Sequence, residues 1–176
     1  MSTLGPPPIP LLDVGGSSTH MQGISQLPPG HVCYFDGAVR AGEWSAMGMV
    51  LCDSTGAFVS ARGGWLQGVP ELAMVELVAL RESVLWCVSA RFTTMLLAGD
   101  AKGIIDKVRA GVVNDALGGA ILQEIKWMLR DNPGFSVHFV GRQNNRASHL
   151  VTRKALSLSL RTLSSFDFCA WLHLEF

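Results

Sequence analysis

Three short β-rich runs, at residues 31–39, 46–52 and 57–65, come before any helical pattern in this chain. Ala41-Gly42-Glu43 and Asp53-Ser54-Thr55-Gly56 separate them, and both are good turn chemistry. The spacing predicts an antiparallel meander. Pro70 and Glu71 then open a helix, because Pro is tolerated at a first helical position and an early acid suits the helix dipole. Through 71–89, Ala73, Leu77, Leu80, Val84 and Cys87 recur at helical spacing. Thr93 to Ala98 reads as a buried strand ending at Gly99-Asp100. Residues 101–110 and 115–130 read as helices, the second with Leu117, Ile121, Ile125, Met128 and Leu129 as its apolar positions. Asn132-Pro133-Gly134 is a strong stop. Phe135 to Val140 reads as a further strand and 145–160 as a last helix. The order β-β-β-α-β-α-α-β-α predicts an α/β domain, a mixed sheet with helices packed on it.

Composition supports one domain with appended segments. The chain has 176 residues, 48% hydrophobic and 16% charged, enough apolar material for a sizeable core. Residues 1–30 read as a flexible Pro/Gly-rich leader, with Pro6, Pro7, Pro8, Pro10, Pro28 and Pro29. The domain is expected over 31–160, and 161–176 as an apolar C-terminal extension with Phe166, Phe168, Trp171 and Phe176. Cys33, Cys52, Cys87 and Cys169 lie far apart with no CxxC pair, which argues against zinc and against a disulfide framework. They read as reduced, mostly buried thiols in an intracellular setting, nucleus or cytoplasm alike. Charged residues interrupt every apolar run short of membrane-spanning length, and the start lacks a secretory pattern. Of the tryptophans, Trp86 and Trp127 fall on predicted helices and read as core.

Asp36 stands among apolar and aromatic neighbours in the first run, where a carboxylate is costly to desolvate without compensation. Glu76 on the first helix and Asp100 after the fourth strand are placed to converge with it, since sites in open α/β sheets form at the carboxyl ends of strands. Converging carboxylates repel one another unless a divalent cation binds, and oxygen-only ligands select Mg²⁺ or Mn²⁺. Spacing alone leaves two other uses open: Glu76 as a solvated helix residue and Asp100 as a helix N-cap.

The segments that carry these acids resemble the ribonuclease H superfamily, in particular the plant reverse-transcriptase-like domains related to retroelements. They are Tyr34-Phe35-Asp36-Gly37-Ala38, Cys52 to Gly56, Val75-Glu76-Leu77-Val78-Ala79-Leu80-Arg81-Glu82, Leu97-Ala98-Gly99-Asp100, and Val140 to His149. The resemblance implies a five-stranded mixed sheet, three antiparallel strands and then two parallel ones, flanked by helices. It implies an endonuclease that cuts the RNA strand of RNA–DNA hybrids with one or two Mg²⁺ or Mn²⁺ ions, held by Asp36, Glu76 and Asp100. The family's fourth acid is replaced here by His149, whose imidazole is neutral or cationic and a poorer Mg²⁺ ligand. That change favours weak cleavage or a preference for Mn²⁺. It also keeps open a second role, an inactive module that holds nucleic acid or a protein partner.

The formal net charge is +0, so attraction to nucleic acid needs a local basic face. Between Asn132 and Phe166 there is no Asp or Glu, while Arg142, Arg146, Arg153 and Lys154 fall there. Such residues suit phosphate contacts, and Asn144 and Asn145 suit sugar or base edges. Lys102, Lys107 and Arg109 extend the expected track along the next helix.

Overall fold

A computed structural model describes residues 27–40, 44–69, 71–111 and 118–158. The proposed C-terminal extension, Cys169 and most of the proposed leader lie outside these residues. The elements are β1 (Val32–Arg40), β2 (Trp44–Cys52), β3 (Phe58–Gln67), α1 (Leu72–Ser89), β4 (Met95–Gly99), α2 (Lys102–Ala110), α3 (Gly119–Asp131), β5 (Phe135–Phe139) and α4 (Arg146–Leu158), with a 3-10 turn over Arg142–Asn144. They form one open five-stranded sheet in the order β3-β2-β1-β4-β5. β1 pairs antiparallel with β2, and β2 with β3, while β4 lies parallel to β1 and β5 parallel to β4. The predicted order and the mixed sheet are therefore both present.

β1 is central, so both of its faces are covered and its alternation decides which core each residue joins. Cys33 and Phe35 join Met49, Leu51, Leu77, Leu80, Leu97, Ile105, Leu122 and Ile125 in the core shared with α1, α2 and α3. Val32 and Tyr34 join Val50, Ala61, Ala98, Val151 and Ala155 in the core under α4. Full burial of a Leu, Ile or Phe is worth about 1.5–3 kcal/mol, so these two layers hold the sheet in place. Cys33, Cys52 and Cys87 are buried free thiols.

Two expectations need correction. The stripe predicted on the first helix included Ala73, which is exposed, while Val75, Val78, Ala79, Ser83 and Trp86 are buried in addition to the stripe. Most of α1 beyond its first turn is enclosed, because the sheet covers one side and α3 another. Trp127 on α3 is 53% exposed rather than core. Among the described residues its side of the helix has no partner layer, whereas Trp86 lies under the Arg62 guanidinium, 4.7 Å from the ring centroid.

Candidate active site

By strand alternation Asp36 falls on the same face as Val32 and Tyr34, under α4. It is buried, at 6% exposure. In the parallel pair Tyr34 lies opposite Ala98. Two residues further along, Asp36 lies in the middle of β1 and Asp100 directly follows the end of β4, the parallel neighbour of β1. The third acid arrives on α1, which approaches β1 closely at Gly37. A Cβ on Gly37 would lie 2.9 Å from the backbone nitrogen of Glu76, so a larger residue there would push the helix and its carboxylate away. The same device works on the other face. Gly48 is the register partner of Asp36, and a Cβ there would meet the Thr152 nitrogen at 2.5 Å. α4 therefore sits flush on the sheet beside Asp36.

The electrostatics follow from this packing. Burial pushes the Asp36 carboxyl above its usual range, Thr152 and His149 pull it down, and Asp100 pushes it up. Burial, reinforced by Asp100 and then Asp36, pushes Glu76 up to about 7. The three acids thus act on one another across the end of the sheet.

α4 supplies the other partners. His149 Nδ1 lies 3.3 Å from Asp36 Oδ2. Thr152 Oγ1 donates to the Ser148 carbonyl at 2.8 Å and lies 3.3 Å from the Asp36 carbonyl oxygen. Asn145 Nδ2 donates to the Phe35 carbonyl at 2.9 Å and to Asp100 Oδ1 at 2.6 Å, and Ser148 Oγ donates to Asn145 Oδ1 at 2.6 Å. Asp100 does not serve as the N-cap of α2, which starts after Ala101 without a side-chain cap bond.

The donor set of three carboxylates and one imidazole is mainly hard oxygen chemistry, which fits Mg²⁺ or Mn²⁺. Mutual repulsion among the acids is the charge arrangement that a cation would relieve. Among the described residues, no three His, Cys, Asp or Glu side chains are drawn together closely enough to enclose an ion.

The basic residues divide. Arg142, Arg146 and Arg153 are exposed, Asn144 and Lys154 are half-buried, and Lys154 has an interaction of its own. Asn145, expected at sugar or base edges, is instead buried with its amide turned inward, because the Phe35 carbonyl and Asp100 need its donors. On α2, Lys102 pairs with Asp106 at 2.6 Å, and Arg109 donates through Nε and Nη2 to the Val137 carbonyl of β5. That helix is thus partly engaged in internal contacts. Sequence reasoning missed Ser148 and Thr152. Their signal was two hydroxyl residues spaced one turn apart among Ala147, Val151 and Ala155.

A mixed sheet in this order, with one acid within β1, another directly after β4 and a helix laid over β1, defines the ribonuclease H fold. Solved structures with this architecture include ribonuclease H1 of the halophilic archaeon Halobacterium salinarum NRC-1 (22% identity, TM-score 0.61, covering 72% of this chain and 97% of that one). The N-terminal RNase H domain of a Mycobacterium tuberculosis protein is also similar (14% identity, TM-score 0.65, 73% and 94%). So is LC11-RNase H1, solved in complex with an RNA/DNA hybrid (14% identity, TM-score 0.65, 73% and 98%). The family model described as reverse transcriptase-like matches residues 34–155, and the chain belongs to that family. No curated protein matches the sequence. Among the described residues, no helix is long and apolar enough to cross a membrane.

Proposed function

We propose that this chain is a metal-dependent nuclease acting on the RNA strand of RNA–DNA hybrids. The observation that carries the reading is Asp36 on β1 with Asp100 just past its parallel neighbour β4, and Glu76 brought in by the close approach of α1 at Gly37. Asp36, Glu76 and Asp100 would hold one or two Mg²⁺ or Mn²⁺ ions. When bound, such ions neutralise phosphodiester charge and supply a hydroxide at neutral pH. Burial holds Asp36 in place, and Glu76, whose carboxyl is pushed up to about 7, would give up its proton if it served as a ligand. His149 would take the place of the family's fourth acid, with its Nδ1 3.3 Å from Asp36 Oδ2. Exposed Arg142, Arg146 and Arg153 would offer phosphate contacts.

The test is cleavage of a labelled RNA–DNA hybrid with Mg²⁺ and then Mn²⁺. Asp36→Asn is expected to abolish it, and cleavage that survives this change would refute the carboxylate chemistry. His149→Asp is expected to raise the Mg²⁺-dependent rate by about 10-fold or more, the scale of one well-placed charged ligand.

A second reading is favoured by His149 itself. An imidazole 3.3 Å from Asp36 partly compensates the buried carboxylate without any metal. On this reading the domain binds nucleic acid or a protein partner and does not cut. Binding of hybrid that persists in chelator, with no cleavage in either metal, would select it.

A further inference from the structure

The buried carboxamide of Asn145 ties β1, the residue after β4 and α4 together at one point. Resting on the reading of Asp36, Glu76 and Asp100 as the reactive centre, we infer that Asn145 is a positioning residue that orients the Asp100 carboxylate against β1. A carboxamide donates two N–H bonds and accepts at one oxygen. Here one N–H meets the Phe35 carbonyl at 2.9 Å and the other meets Asp100 Oδ1 at 2.6 Å. The amide cannot be turned over, because its oxygen would then face two acceptors. Ser148 fixes the same orientation from the far side. Its single hydroxyl proton reaches Asn145 Oδ1 at 2.6 Å, closer than the Asn145 carbonyl oxygen at 2.9 Å.

A helix-capping role would aim the Asn145 oxygen at the free backbone N–H groups of the first turn. Its oxygen meets a hydroxyl instead, and its donors leave the helix altogether. Phe35 immediately precedes Asp36, so one amide spans the backbone next to one acid and the carboxylate of another. Asp100 accepts this bond in place of capping α2, and Asn145 is its side-chain hydrogen-bond partner among the described residues. Groups that orient metal-binding side chains change metal affinity by about 10–100-fold when removed.

The experiment compares wild type, Asn145→Ala, Ser148→Ala and Ser83→Ala. Ser83 is a buried hydroxyl on α1 bonded to the Ala79 carbonyl, so its removal reports an ordinary loss of a buried polar contact. In metal-free protein, the side-chain carboxyl ¹³C resonance of Asp100 is expected to move in Asn145→Ala, to move less in Ser148→Ala, and to stay in Ser83→Ala. Affinity for Mn²⁺, read by electron paramagnetic resonance, is expected to fall about 10–100-fold in Asn145→Ala only. Ser148→Ala keeps the amide and so keeps the question open to measurement if Asn145→Ala does not fold. An Asp100 resonance that is unmoved in every folded variant at position 145 or 148, or moved equally in Ser83→Ala, overturns the inference. Wild type that binds no Mn²⁺ would instead overturn the proposed chemistry and leave the resonance to decide the positioning role.

Discussion

Glu76 sits half-buried between the sheet and solvent, and its proton links the site to stability. Its carboxyl is raised from 4.5 to about 7 by burial and by the neighbouring Asp100 and Asp36. Between those values the folded chain binds more protons than the unfolded one, so this contribution to stability is full below the window and is lost as pH rises through it. Melting temperature is therefore expected to fall from about pH 5 to about pH 8, and Glu76→Gln to flatten that slope. Mg²⁺ at the upper end is expected to restore melting temperature in wild type and not in the variant. A slope that Glu76→Gln leaves unchanged would show that other groups control it. The family segment Val75 to Glu82 marked Glu76 as a candidate partner of Asp36 and Asp100. Its raised carboxyl was not legible, because that depends on burial and on the other two acids.

At the scale of elements, two contacts decide how the layers meet. Gly48→Ala places a methyl where the Thr152 nitrogen and the Ser148 carbonyl already stand, so α4 must lift from β2. The expected cost is about 1–3 kcal/mol, read as a lower denaturant midpoint, with any cleavage falling further than stability because His149 moves with the helix. On the opposite side, β5 is an edge strand whose Val137 carbonyl is held by Arg109. Arg109→Ala removes that charged bond and is expected to cost about 1 kcal/mol and to speed amide exchange along β5. The strands and helices themselves were readable from turn residues and periodicity. The burial of α1 beyond its stripe was not, because the sheet and α3 enclose it, and a single helix's pattern does not report its neighbours. Trp127 fails the other way: it lies on a helix yet has no layer above it among the described residues.

For the whole molecule the question is how a chain of net charge +0 meets a polyanion. The exposed cations Arg142, Arg146 and Arg153 follow β5 and run onto α4, beside His149. Affinity for hybrid is expected to fall linearly in log–log form with salt, and an Arg142→Ala, Arg146→Ala double variant to reduce the slope by about 2. An unchanged slope would move the interface elsewhere. The sequence by itself determined the element order, the mixed sheet and the basic stretch, because each is written in local pattern or in a short motif. Only the tertiary structure decided which way Asn145 faces, that Asp100 is held by it and does not cap a helix, and how His149 stands to Asp36. Those contacts join residues 110, 45 and 113 positions apart, and no local periodicity encodes a partner so distant in the chain.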